Sequence, residues 1–170
     1  MSTNTQTREV FLSPEALLEH WQGHRRLTRR TIEAFPEEHL FSFSAGPMRP
    51  FSAMILELTM MSKPILQHLL GEGEEVDLDE WAERTETVRR QIKAKAELLR
   101  AWDESGAYLD EHWSRIPEER FHASESAFNL PAQPNRDYVL YGIDNEVHHR
   151  AQGFVYLRLL GLEPPAFWER

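Results

Sequence analysis

An all-α fold, a four-helix bundle with long connections, follows from three observations on this 170-residue sequence. Apolar residues recur at three-and-four spacing in four separate stretches, strand-like alternation is nowhere sustained, and at least two connections are long and punctuated by proline. Long connections favour a bundle with crossovers over a hairpin-linked up-and-down array. The length suits a single domain, 1–170 with a polar arm at 1–12, because a chain of about 150 residues buries roughly 70% of its unfolded surface around one core.

Composition narrows the function classes. The 28 acidic residues outnumber the 19 basic ones, and the net charge of −9 opposes the phosphate neutralisation that nonspecific nucleic-acid binding needs. No cysteine is present, so a metal site must draw on histidine, carboxylate or amide groups. No apolar run approaches the ~20 residues of a membrane span and the N-terminus lacks an apolar signal core, which predicts a soluble cytoplasmic protein with no nucleic-acid or membrane partner.

Ser13-Pro14-Glu15 supplies an N-cap, a proline at the first helical position and an acid in the first turn, starting a helix that runs to about Ala34. Leu17, Trp21, Thr28, Ile32 and Phe35 form its stripe, with His24 inside that stripe and spaced from His20 like a metal pair. His24 is expected to be hydrogen-bonded and to face the interior. Pro36 ends this helix, and 37–50 reads as a connection. A second helix starts near Pro50, with Phe51, Met54, Leu58, Met61, Ile65 and Leu69 as its stripe and Pro64 as a point of kinking. Glu57 falls at the margin of that stripe. It would either reach water or an arginine, or help to hold a cation. His68 shares its face but lies about 16 Å further along the axis, too far for one ion.

Residues 71–75 form a polar connection. From Asp79 to about Ile116 the composition is helical, as one helix or as two with Asp79 to Gln91 separate, weakened at Ser105-Gly106, and with Leu98, Trp102, Leu109 and Trp113 buried. Pro117 to Asn135 is a long connection. The last helix runs from about Arg136 to Leu160, with Gly161 as the residue beyond its C-cap.

This last helix carries the candidate site. Tyr138, Tyr141, His149, Gln152 and Tyr156 lie within about 40° of Asn145, while Leu140, Ile143, Val147, Ala151 and Phe154 gather opposite. Asn145 and His149, one turn apart, suit shared coordination of one ion or water. Glu57 and His149 are the expected ion ligands, with Asn145 a weaker third through its carbonyl oxygen, and His24, Tyr141, Gln152 and Tyr156 the expected lining. Glu146 and Arg150, spaced i, i+4, read as a local helix-stabilising pair, and His148 turns away.

The run His148-His149-Arg150-Ala151-Gln152, with Tyr156-Leu157-Arg158 and Leu160-Gly161-Leu162-Glu163-Pro164-Pro165 after it, resembles the C-terminal helix of the DinB/YfiT-like family. Met48-Arg49-Pro50-Phe51 resembles the opening of that family's second helix. The resemblance implies a four-helix bundle, usually a homodimer, with a divalent-metal site of three histidines, one on the second helix and two on the last. Those positions fall on Glu57, Asn145 and His149, and Ala151 stands at the motif glycine. Such a set would hold a harder ion, nickel, manganese or magnesium, in preference to zinc, or only water. Two functions follow as expectations. One is a metal-dependent thiol transferase or hydrolase acting on a small molecule. The other is a homodimeric, stress-associated binding or scaffold protein with a degenerate site, in which Ile143, Val147 and Phe154 serve packing or dimerisation.

Overall fold

The computed structural model describes residues 12–73 and 78–170, so most of the polar arm and the end of the 71–75 connection fall outside the described residues. The described elements are α1 (Pro14–Ala34), α2 (Glu37–Leu40), α3 (Phe51–Leu70), α4 (Leu78–Gln91), α5 (Lys95–Trp113), α6 (Glu118–His122), β1 (Ser124–Ala127), β2 (Leu130–Pro134) and α7 (Asn135–Leu159). The helical ends follow local chemistry. Ser13 Oγ accepts the Ala16 N–H at 3.2 Å to open α1. At the other end of the chain, Gly161 adopts φ 78°, and Leu162 N–H reaches Leu157 O at 2.9 Å, closing α7 with a Schellman motif.

The four long helices α1, α3, α5 and α7 form the predicted bundle, each packing mainly on two others: α1 on α5 and α7, α3 on α5 and α7. Two apolar clusters fix their directions. One joins Leu17 and Trp21 of α1 to Ile65 and Leu69 of α3, Leu109 and Trp113 of α5, and Tyr138 and Ile143 of α7. The other joins Ile32 to Phe51, Met54, Leu98, Trp102, Tyr156 and Leu157. Thus α1 and α7 run in one direction and α3 and α5 in the other. The links from α1 to α3 and from α5 to α7 cross the diagonals of the bundle, which is why both are long. Between the two clusters lies a polar band, His24, Arg25 and Thr28 on α1 with Glu146, His149 and Arg150 on α7, all buried.

Two connections, 37–50 and 117–135, carry more structure than expected, and the helical stretch between them resolves into the second of its two alternatives. Residues 37–50 include α2. The helical stretch after 78 is two helices, and the break falls at 92–94 because Glu97 accepts the N–H groups of Lys93 and Ala94 at 2.8 and 3.1 Å, while Glu37 accepts that of Lys95 at 2.8 Å. Ser105-Gly106 lies inside α5, where a Cβ on Gly106 would come 3.3 Å from Arg25 Nε. The 117–135 connection holds α6 and an antiparallel hairpin paired Ser124 to Pro134 and Ala127 to Leu130. Phe128 and Asn129 turn it with φ 54° and 58°, the positive values of a two-residue hairpin turn. Arg120 ties this unit to the end of α3, donating to the carbonyls of His68 and Leu69 at 2.8 and 3.0 Å.

Candidate functional site

Close approach of α7 to α3 brings three of the predicted site residues together. Asn145 Nδ2 donates to Glu57 Oε1 at 3.2 Å, and His149 Nε2 lies 3.3 Å from the same oxygen. The other carboxylate oxygen accepts Arg49 Nη1 at 2.7 Å, the arginine alternative for Glu57. Bonding from His149, then Arg49 and Asn145, outweighs burial and holds the Glu57 carboxyl down at about 2. Tyr156, fully buried, donates from its hydroxyl to the Arg49 carbonyl at 3.0 Å and so fixes the segment that carries the guanidinium.

The chemistry of the donor set is unsuited to a divalent metal. Among the described residues no three histidines or carboxylates converge. Glu57 offers no free oxygen, since one is neutralised by Arg49 and the other serves Asn145 and His149. A metal-bound imidazole ordinarily donates its second N–H to an acceptor, whereas His149 Nδ1 is buried with no hydrogen-bond partner among the described residues. These residues do not fit a divalent ion.

The remaining expected lining residues lie elsewhere. Tyr141 is on the surface, 52% exposed. Gln152 bonds the exposed His148 at 2.7 Å, on the side to which His148 was expected to turn. His24 faces the interior and is hydrogen-bonded, as expected, but in a second constellation with Glu146 and Arg150. These two are not a solvent-side pair: they are 1% and 6% exposed.

Arg150 Nη2 donates to His24 Nδ1 at 2.8 Å and Nη1 to Thr28 Oγ1 at 2.9 Å, and Thr28 in turn donates to Glu146 Oε1 at 2.6 Å. Arg25 lies 3.9 Å over the Trp102 ring and donates to the Trp102 carbonyl at 2.9 Å. From the C-terminal tail Arg170 Nη1 lies 3.3 Å from His24 Nε2, the nitrogen that carries the proton when Nδ1 accepts. Burial first, then Arg150, Arg170 and His20, lowers His24 to about 4 and keeps it neutral, which lets its Nδ1 accept. Burial also pushes the Glu146 carboxyl up, against the opposing pull of Arg25, Thr28 and Arg150. Sequence reasoning missed this constellation. An i, i+4 acid–base pair has the same spacing whether exposed or buried, and the one available signal was His24 on the α1 stripe.

A separate open cleft of about 1020 Å³ lies between α3, α4, α5 and the hairpin, bordered by Lys63, His68, Trp81, Arg84, Tyr108 and Phe128. Glu57, Asn145 and His149 do not line it.

Comparison with known proteins bears on the whole chain. The model of the DinB family matches residues 1–170. Among solved structures, a DinB-like protein from Bacillus cereus ATCC 10987 superposes with a TM-score of 0.71 at 16% identity, covering 94% of this chain and 100% of its own. The DinB-like protein YjoA from Bacillus subtilis superposes with a TM-score of 0.63 at 16% identity, covering 91% of this chain and 97% of its own. No curated protein matches the chain.

Proposed function

This chain belongs to the DinB family, and from that premise we propose that it is a small-molecule-binding member that works without a divalent metal, the Arg49 guanidinium providing the positive charge at Glu57. One observation carries this reading: both oxygens of the Glu57 carboxylate are engaged within the chain, by Arg49 on one side and by Asn145 and His149 on the other. The geometry therefore favours the binding-protein function over the metal-dependent transferase or hydrolase. A cation approaching Glu57 would have to displace a charge-assisted hydrogen bond and leave a guanidinium beside itself. The cleft beside α3, at the upper end of the 300–1,000 Å³ typical of ligand pockets, offers the room a small molecule needs.

Elemental analysis followed by calorimetric titration of Ni²⁺, Mn²⁺, Zn²⁺ and Mg²⁺ tests the proposal. The wild type is expected to bind none of them with micromolar affinity. Glu57→His with Asn145→His, which sets three imidazoles at these positions and leaves Arg49 without its partner, is expected to bind Zn²⁺ stoichiometrically. Stoichiometric metal on the wild type, abolished by His149→Ala, would overturn it.

A further inference from the structure

His68, near the end of α3, borders the cleft of about 1020 Å³, and its ring is fixed from behind. Asn135, fully buried at the start of α7, donates from Nδ2 to Glu125 Oε2 at 3.1 Å. The atom it presents to His68 Nε2, at 2.9 Å, is therefore Oδ1, an acceptor. Nε2 must carry the proton of that bond, and in the uncharged ring the lone pair then sits on Nδ1. Glu125 stands behind the pair, 3.6 Å from Nε2, and is itself held by Arg120 Nη2 at 2.7 Å. Phe128 and Tyr138 meet the ring edge-on, with centroids 5.9 and 5.1 Å away. No group among the described residues bonds Nδ1, so this nitrogen is left for a ligand.

The rest of the border supplies what a ligand's other groups would meet. Trp81 of α4, Tyr108 of α5 and Phe128 of the hairpin turn are half-buried aromatic side chains from three different elements. Lys63 Nζ lies 5.2 Å over the Tyr108 ring. Lys63 and Arg84, both exposed, take part in none of the salt bridges found among the described residues. The acids on the same border are Glu72, Glu80 and Glu104, and Glu72 is taken up by Arg115 at 2.7 Å. In a chain of net charge −9, two cations set beside aromatic faces and outside every such ion pair suit a foreign anion. Lys63 and His68 stand about 7.5 Å apart along the axis of α3, a span that one ring with a short carboxylate arm bridges. Building on the small-molecule-binding reading, we propose that the cleft takes an aromatic carboxylate bearing a ring hydroxyl. The carboxylate meets Lys63 and Arg84, the ring lies among Trp81, Tyr108 and Phe128, and the hydroxyl donates to His68 Nδ1.

The probe is 4-hydroxyphenylacetate, titrated calorimetrically into the full chain beside phenylacetate, which lacks the hydroxyl, and 4-hydroxyphenylacetamide, which lacks the charge. The hydroxy acid is expected to bind about tenfold more tightly than the amide and about threefold to tenfold more tightly than phenylacetate. Lys63→Met combined with Arg84→Met is expected to erase the first difference and leave amide binding unchanged. His68→Gln, whose side-chain amide keeps a donor for Asn135, is expected to erase the second difference while phenylacetate binds as before. Circular dichroism of each variant verifies folding, and the three probes on the wild type decide the case where a variant does not fold. Equal binding of hydroxy acid and amide overturns the proposal and leaves the cleft a small-molecule site, as does a preference for the hydroxyl that survives His68→Gln. Failure of all three probes to bind at about 1 mM overturns it as well. Stoichiometric metal on the wild type would sink the metal-free reading alone, since none of these groups belongs to the Glu57 constellation.

Discussion

Gly153 of α7 lies against the ring of Phe51 at the start of α3: a Cβ at this glycine would stand 2.7 Å from Phe51 Cζ and 2.8 Å from Cδ2. The ring is itself held, stacked on Phe35 with centroids 4.6 Å apart. It cannot move without disturbing a second aromatic. Gly153→Ala is therefore expected to destabilise the protein by about 1–3 kcal/mol through overpacking, although alanine is the better helix former. Chemical denaturation should show this, and Phe51→Leu should recover part of the loss in the alanine background.

His24 makes stability depend on pH. Its folded pKa of about 4 lies below the ordinary 6.5, so on acidification the unfolded chain takes up the proton first. The stabilisation is complete above pH 6.5 and is lost progressively as pH falls toward 4, amounting to about 3 kcal/mol over the window. Urea titrations between pH 4 and 7.5 should give wild type a steeper pH dependence than His24→Gln. The contribution of Glu146 is common to both proteins and drops out of the difference to first order.

The buried Arg150–Thr28–Glu146 chain predicts strong coupling. Glu146→Leu leaves a buried guanidinium without its acid, and Arg150→Met leaves a buried carboxyl without its base, each at an expected cost of about 3–5 kcal/mol. The double substitution removes both and should cost clearly less than the two singles together. Additive losses in a double-mutant cycle would show that the groups do not act as a unit.

Tyr138 fastens the hairpin to α7. Its hydroxyl donates to the Glu125 carbonyl at 2.8 Å and accepts the Ala127 N–H at 3.0 Å. Tyr138→Phe should cost about 1–2 kcal/mol and speed amide exchange at Ala127 with little effect on amides in the α1 core.

The elements legible in the sequence were those whose signals are local. The Ser13-Pro14 start of α1, the stripe from Phe51 to Leu69, and Gly161 beyond the C-cap of α7 all stand where composition and spacing put them. The hairpin was not legible, since strands of four and five residues leave no room for alternation to repeat, and Phe128 is an uncommon residue at positive φ. At the site, angular position was enough to bring Asn145, His149 and Glu57 together. It could not say what else would arrive. Arg49 comes from outside α3 and shares no period with it. For α7, amphipathicity gave two faces but not their directions: Ile143 entered the core while Leu140 and Val147 stayed outside, because the side of the helix turned to α1 and α3 carries Glu146, His149 and Arg150 inward.

The diagonal links have a consequence for how the chain is made. The partners of α1 are α5 and α7, and the bonds from Arg150 to His24 join residues 126 apart in sequence. During synthesis, the part of α1 that packs on α7 has no partner until α7 has been made, while α5 covers Trp21 and Ile32 from the other side. Closure of the α1 face that bears His24 thus depends on contacts between residues 126 apart in sequence, the kind of non-local pairing that slows folding.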